Sequence, residues 1–143
     1  MSRVDLSKVI VHATLVKLLF HQRTDRGMTL IAEQSRCVRA GEIHELLTTD
    51  QDGLAAGSRL DRVGFLGFVE VCNAGVLDVG DTVTCGDVRL GVVAGFDACH
   101  FPNHYNIVLR AERLVTAGDL ALPVGRRIEF QQGTLSAETG HLR

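Results

Sequence analysis

The 143-residue chain has no tryptophan, one tyrosine (Tyr105), two prolines (Pro102 and Pro123) and two lysines (Lys8 and Lys17), all other cationic residues being arginine or histidine. The scarcity of lysine reads first as the coding bias of a GC-rich bacterial genome and only second as anion recognition. Four cysteines, Cys37, Cys72, Cys85 and Cys99, form no CxxC pair, which argues against a zinc ribbon or a thioredoxin-like motif. The opening residues MSRVDLSK lack an apolar core, so a secretory leader is not expected. The longest apolar stretch, Val9–Phe20, is broken by His12 and Lys17 and is too short to span a bilayer. A net charge of −2 with no concentrated basic face argues against nucleic acid as the main partner. No Walker motif, no GxGxxG ahead of a helix and no Ser-His-Asp pattern occurs. These absences together predict a cytoplasmic protein with free thiols, bound to neither membrane nor nucleic acid.

What is present is a composition for folding: 45% hydrophobic and 22% charged residues exclude wholesale disorder. The length suits one domain, since domains run at roughly 100–200 residues. Fifteen glycines, many beside Asp or Asn, punctuate short strands. Val9–Phe20, the polar turn at 23–27 and Met28–Ala32 read as a hairpin, with a helix over 8–20 as the competing assignment. Arg36–Leu47 reads as a short strand, a break at Gly41, then a strand or one helical turn. Thr48–Arg59 is a polar, Gly-rich loop that could serve as a lid or rim. Strands follow at 63–72, 82–85, 88–96, 105–115 and 126–131. Gly64, Gly67, Gly91 and Gly95 lie inside strands, where glycine marks bends or bulges in a curving sheet. The prediction is a mainly β protein: a small antiparallel β-barrel of about 7–9 short strands with at most one short helix. Residues 1–131 form the single domain, and 132–143 a tail without fixed structure.

The stretch GVLDVGDTVTCGDVRLGVVAGFD (75–97), with LPVGRRIEF (122–130), resembles the barrel-building pattern of the glucitol/sorbitol-specific phosphotransferase IIA component. The resemblance covers about a third of the chain. It implies a small β-barrel-like phosphocarrier in which a histidine passes a phosphoryl group between proteins. The segment Val71–Gly75, leading into the first of these turns, holds no histidine. AGFDACHFPNHYNIVL (94–109) also resembles small uncharacterised bacterial proteins.

Residues 97–106 (DACHFPNHYN) are the densest functional stretch, with two of the six histidines, one of the four cysteines and the only tyrosine. A loop of this kind between two apolar strands is where binding or catalytic groups tend to sit. His100, His104 and Tyr105 are candidate acid–base groups, with Asn103 and Asn106 orienting a substrate carbonyl. His100 and His104, joined by Cys99, His44 or Glu45, could instead hold a divalent metal, zinc or iron. Convergence of the two histidines requires a loop wider than a two-residue turn, because a tight turn sends them to opposite faces. Pro102 favours the wider loop, since tight hairpin turns demand positive φ. A lone histidine could also accept a phosphoryl group. The bland alternative is that Asn103 and His104 bond the loop backbone, Phe101 plugs a barrel end, and Cys99 is a small buried hydrophobe.

A second cluster, Arg36-Cys37-Val38-Arg39 with Glu42-Ile43-His44-Glu45, puts Glu42 and His44 on one strand face. Arg36, Glu42 and His44 could bind a carboxylate or phosphate, against the alternative of a solvated edge strand. The leading functional expectation is a small-molecule-binding β-barrel with a His/Asn/Tyr loop site. Its chemistry would be acid–base or metal-assisted: a lyase, isomerase or cyclase acting on a carbonyl-containing metabolite. Alternatives from other classes are a phosphocarrier or sugar-transport accessory domain, and a non-catalytic oligomerising module, with a homodimer as the expected assembly.

Overall fold

The computed structural model describes residues 6–133, and those residues contain strands, turns and no helix. The expected tail at 132–143 therefore lies outside the described residues beyond Gly133. In chain order the strands are β1 (Val11–Leu18), β2 (Gln22–Arg23), β3 (Met28–Thr29), β4 (Ser35–Val38), β5 (Ile43–Thr49) and β6 (Arg59–Leu60). They continue with β7 (Val63–Val71), β8 (Gly75–Asp78), β9 (Thr82–Cys85), β10 (Val88–Asp97), β11 (Asn106–Arg110) and β12 (Arg127–Gln131). The main sheet runs β1-β12-β9-β10-β11-β5-β7-β2, and β1 also pairs with β7, so seven successive ladders return to their starting strand. β3–β6 and β4–β8 form two separate two-stranded ladders.

The burial patterns explain the layering. β1 alternates, burying Val11, Ala13 and Leu15 in the larger core with Ile128 and Phe130 of β12 and Val83 of β9. That period of two settles residues 11–18 as a strand and leaves the helical alternative without support. β5, β7 and β11 are instead buried on both faces. Leu46, Ile107 and Leu109 enter the larger core, whereas Leu47 and Val108 enter a second cluster with Met28, Leu30, Leu60, Val63 and Phe65. The small β3–β6 ladder thus covers the outer face of the sheet.

Two expectations are corrected by this arrangement. The hairpin between 9–20 and 28–32 does not form: β3 pairs with β6, and β1 pairs with β12 and β7. The apolar residues of β1 and β3 serve different cores, which one hairpin cannot supply. The sheet is also not purely antiparallel, because β5 and β11 run parallel, Asn106 opposite Glu45 through Arg110 opposite Thr49. A parallel pair needs a long connection, and here β6 to β10 lie within it. Gly67 and Gly91 mark irregularities. The β1–β7 register shifts between Leu15 and Lys17 beside Gly67, where φ is 149° and a methyl group would overlap the Lys17 carbonyl oxygen. The β9–β10 register shifts at Gly91, where φ is 154° and a methyl would sit 2.7 Å from the Arg110 carbonyl oxygen.

Candidate functional site

The two polar clusters separated by more than fifty residues in sequence meet at one end of the parallel β5–β11 ladder. Its first rung reads Asp97–Asn106–Glu45–Phe68 across β10, β11, β5 and β7. Directly paired residues share a sheet face, so all four point to the side that carries the second core. Strand alternation sends Glu42 and His44 to the opposite side, the side of Leu46 and the larger core. The loop at 98–105 wraps this edge. It is wide, with Phe101 N–H donating to the Ala98 carbonyl and the N–H groups of Asn103 and His104 to His100. Glu45 N–H donates to the Tyr105 carbonyl at 3.0 Å and ties the loop to β5.

On the inner side, a cleft of about 200 Å³ is lined by Arg36, Glu42, His44, Asn103, His104 and Tyr105, with Ile43 and Phe101 as an apolar lip. The His44 ring is 4% exposed. Its Nδ1 accepts the Tyr105 backbone N–H at 3.0 Å, and its Nε2 lies 2.9 Å from Glu42 Oε1. Burial lowers the His44 pKa from 6.5, the Glu42 bond opposes that, and the charges of Arg36 and His104 add to it. The ring is therefore neutral at pH 7. Because Nδ1 is an acceptor, the single ring proton resides on Nε2 and is donated to Glu42. Arg36 lies over the Tyr105 ring at 3.6 Å and stands 3.7 Å from Glu42 Oε1. Its Nε is a buried donor with no partner among the described residues.

On the outer side, His104 is buried, with Nε2 at 3.1 Å from Glu45 Oε1, Nδ1 at 2.9 Å from the Asn103 amide, and its ring against the edge of Phe68. The exposed His100 stacks on His104 with ring centroids 5.0 Å apart. Asn106 donates to Asp97 at 3.0 Å, while its own Oδ1 is buried without a partner. Arg26 Nη2 stands 3.3 Å from Cys99 Sγ and 3.4 Å from His100 Nε2. Burial and then the Asp97 contact raise the Cys99 pKa from 9.0, outweighing Arg26, so this cysteine is a thiol at neutral pH. It is exposed all the same, contrary to its bland description as a buried hydrophobe.

The candidate site residues His100, Asn103, His104, Tyr105, Asn106, Arg36, Glu42 and His44 thus fall at this one edge. Among the described residues, the group close enough to join His100 and His104 is Glu45, not Cys99 or His44. Arg26 and Phe68 had carried no sequence signal, because only the long-range pairing brings them here. The glycine-rich loop does not cover the cleft. It leaves β5 at Thr49, opposite Arg110, four residues or about 13 Å from Glu45. There it ties into a second, larger cleft of about 540 Å³ through Asp52 and Arg110. That cleft holds the exposed Arg89, Arg113 and Glu112 and no histidine.

The molecule is an all-β protein whose buried histidine–carboxylate pairs flank one sheet edge. It belongs to a family of unknown function, DUF6917, whose model matches residues 5–131. No curated protein and no solved structure matches the chain.

Proposed function

We propose that the ring of seven ladders is a small closed barrel whose edge binds a small carbonyl-containing carboxylate and moves a proton on it, as a lyase, isomerase or cyclase does. The observation that carries this reading is the locked His44: neutral by burial, held by the Tyr105 N–H at one nitrogen, and bonded to Glu42 at the other. A carboxylate fixed in this way at the mouth of a cleft is a general base aimed at a bound substrate. Arg36, braced on Tyr105 and with an unpartnered Nε, supplies the positive charge for a substrate carboxylate or a developing enolate oxygen. Glu42 removes the proton beside the carbonyl. Its return to a different carbon gives an isomer, and loss of a neighbouring leaving group gives a lyase product. The proton-transfer role expected of His100 and His104 passes in this reading to Glu42, with His44 as its positioning residue. The cleft volume limits the ligand to a few heavy atoms, with Phe101 and Ile43 touching its apolar end.

Titration of ¹⁵N-labelled protein with a panel of 2-oxo and 2-hydroxy acids tests the reading. Saturable shifts should centre on the Tyr105 and His44 amides and vanish in Arg36→Ala. Absence of any saturable shift across the panel removes it.

A second reading rests on Arg26, whose guanidinium stands 3.4 Å from Nε2 of the exposed His100 and would neutralise a phosphohistidine. The phosphocarrier role requires acid-labile phosphate on His100 after incubation with a phosphorylated carrier protein. No transfer under those conditions removes that role.

A further inference from the structure

We infer that Glu45, His100 and His104 form a binding site for one first-row divalent cation, of the zinc or ferrous class, on the outer face of the β5–β11 edge. The site shares His104 and Asn103 with the lining of the Arg36–Glu42 cleft, but its other two ligands, Glu45 and His100, do not line that cleft. One ligand atom from each of the three residues lies within 4.8 Å of the others. Across a tetrahedral shell with bonds of about 2.0–2.1 Å the donors stand roughly 3.3 Å apart. The three side chains therefore need to draw in by less than about 2 Å to bind. Two imidazoles and one carboxylate are the donor set of open zinc sites and of non-haem iron sites, which keep at least one position for water or substrate.

The surroundings suit a ligand pair held ready. Glu45 is fixed by the strand ladder, and His104 by Phe68 and Asn103. The Asn103 side chain can serve either state of His104. With its NH₂ toward Nδ1, the ring proton sits on Nε2 and is donated to Glu45. With its carbonyl turned inward, Asn103 accepts a proton from Nδ1 and leaves the Nε2 lone pair free for metal. The Asp97 carboxylate lies on the same rung and face as Glu45. Asn106, between those two carboxylates, carries the buried Oδ1 that has no partner. An orphaned acceptor on a rung between two carboxylates is explained by a cation or a water it holds. Arg26 now occupies the His100 lone pair, and a metal ion must displace it. Removing Arg26 should therefore strengthen metal binding, an outcome that a merely structural cluster would not give.

Calorimetric titration of the chelator-treated protein with Co²⁺ and Zn²⁺, together with the visible spectrum of the Co²⁺ form, tests the site. One ion per chain is expected, with affinity falling at least tenfold in Glu45→Gln and in His100→Ala and rising in Arg26→Ala. His100 is exposed, so its variant keeps the test valid if a His104 variant fails to fold. Failure of the wild type to bind either ion overturns the inference. So does binding that persists undiminished in both Glu45→Gln and His100→Ala. Because the two variants lie outside the cleft lining, loss of metal in them with retained oxo-acid binding leaves the proposed proton transfer standing, and loss of oxo-acid binding in Arg36→Ala with retained metal leaves the metal site standing.

Discussion

The His44 ring gives the most searching test of the inner cleft, because its protonation state is coupled to folding. Its native pKa is depressed, chiefly by burial, below the unfolded value of 6.5. The native state then binds fewer protons than the unfolded chain, so stability rises with pH across this region. The contribution is complete above 6.5 and is lost progressively as pH falls from there through the lower native value. Each unit of depression corresponds to about 1.4 kcal/mol at full protonation. The informative variant is His44→Leu beside His44→Asn. Leucine leaves the buried Tyr105 N–H without an acceptor and Glu42 without its donor, a cost of about 1–3 kcal/mol at pH 8. Asparagine keeps an amide oxygen where Nδ1 stood and should recover most of that loss. Urea unfolding at half-unit steps from pH 5 to pH 8 measures both effects. The advantage of wild type over His44→Leu should shrink as pH falls below 6.5, since neither variant carries the titrating ring. A difference that stays constant over the whole range, or widens toward acid, would refute the assignment of a buried neutral histidine.

Thr48→Val should lower stability by roughly 2–4 kcal/mol with the fold retained, as read by urea denaturation. Its fully buried hydroxyl donates to the Val115 carbonyl at 2.8 Å and accepts the Val115 N–H at 3.1 Å, so an isosteric methyl orphans both groups. A cost below about 0.5 kcal/mol would show that these bonds are replaced. Lys8→Met should cost about 2–4 kcal/mol at neutral pH, because Lys8 Nζ bonds Asp78 at 2.7 Å and the buried Asp81 at 2.5 Å. That range sits below the one for fully buried pairs because the Asp78 side chain is 40% exposed. Burial alone would raise the Asp78 pKa, but the bonds from Lys8 and Ser35 outweigh it and hold it below 3.8. The stabilisation is thus present above pH 3.8 and lost as pH falls through the native value. An unchanged midpoint for Lys8→Met at pH 7 would contradict this clamp.

The short strands were legible wherever apolar residues alternate or run between turn signals: 82–85 coincides with β9, and 88–96 falls one residue short of β10. Gly41 and Gly80 do occupy turns, and Gly67, Gly91 and Gly95 sit at register shifts, whereas Gly64 pairs in regular register. Pairing was not legible. Val11–Leu18 and Met28–Thr29 are both apolar strands, and nothing local says that they serve different cores. The parallel rung Glu45–Asn106 joins positions 61 residues apart, and periodicity carries no information about such a contact. For the same reason the two polar clusters were found separately. Glu42 and His44 were placed on one face, and their hydrogen bond confirms it. The loop between β10 and β11 around Pro102 is wider than a two-residue turn, and within it the His100 and His104 rings stack. The lid expectation failed because loop composition reports flexibility and not the end of the sheet from which a loop departs. Arg26, in a turn more than seventy residues from Cys99 and His100, could be placed only by the fold.

In the proposed reaction Glu42, aimed by His44, removes a proton from a small carbonyl-containing carboxylate held by Arg36. Solvent deuterium exchange at the carbon beside the carbonyl of a bound 2-oxo acid, followed by ¹H NMR in D₂O, measures that step without knowledge of the product. Catalysed exchange is expected in the wild type, abolished in Glu42→Gln and strongly reduced in His44→Leu, with each variant still folded by circular dichroism. Exchange no faster than in protein-free buffer, or undiminished in Glu42→Gln, would contradict it.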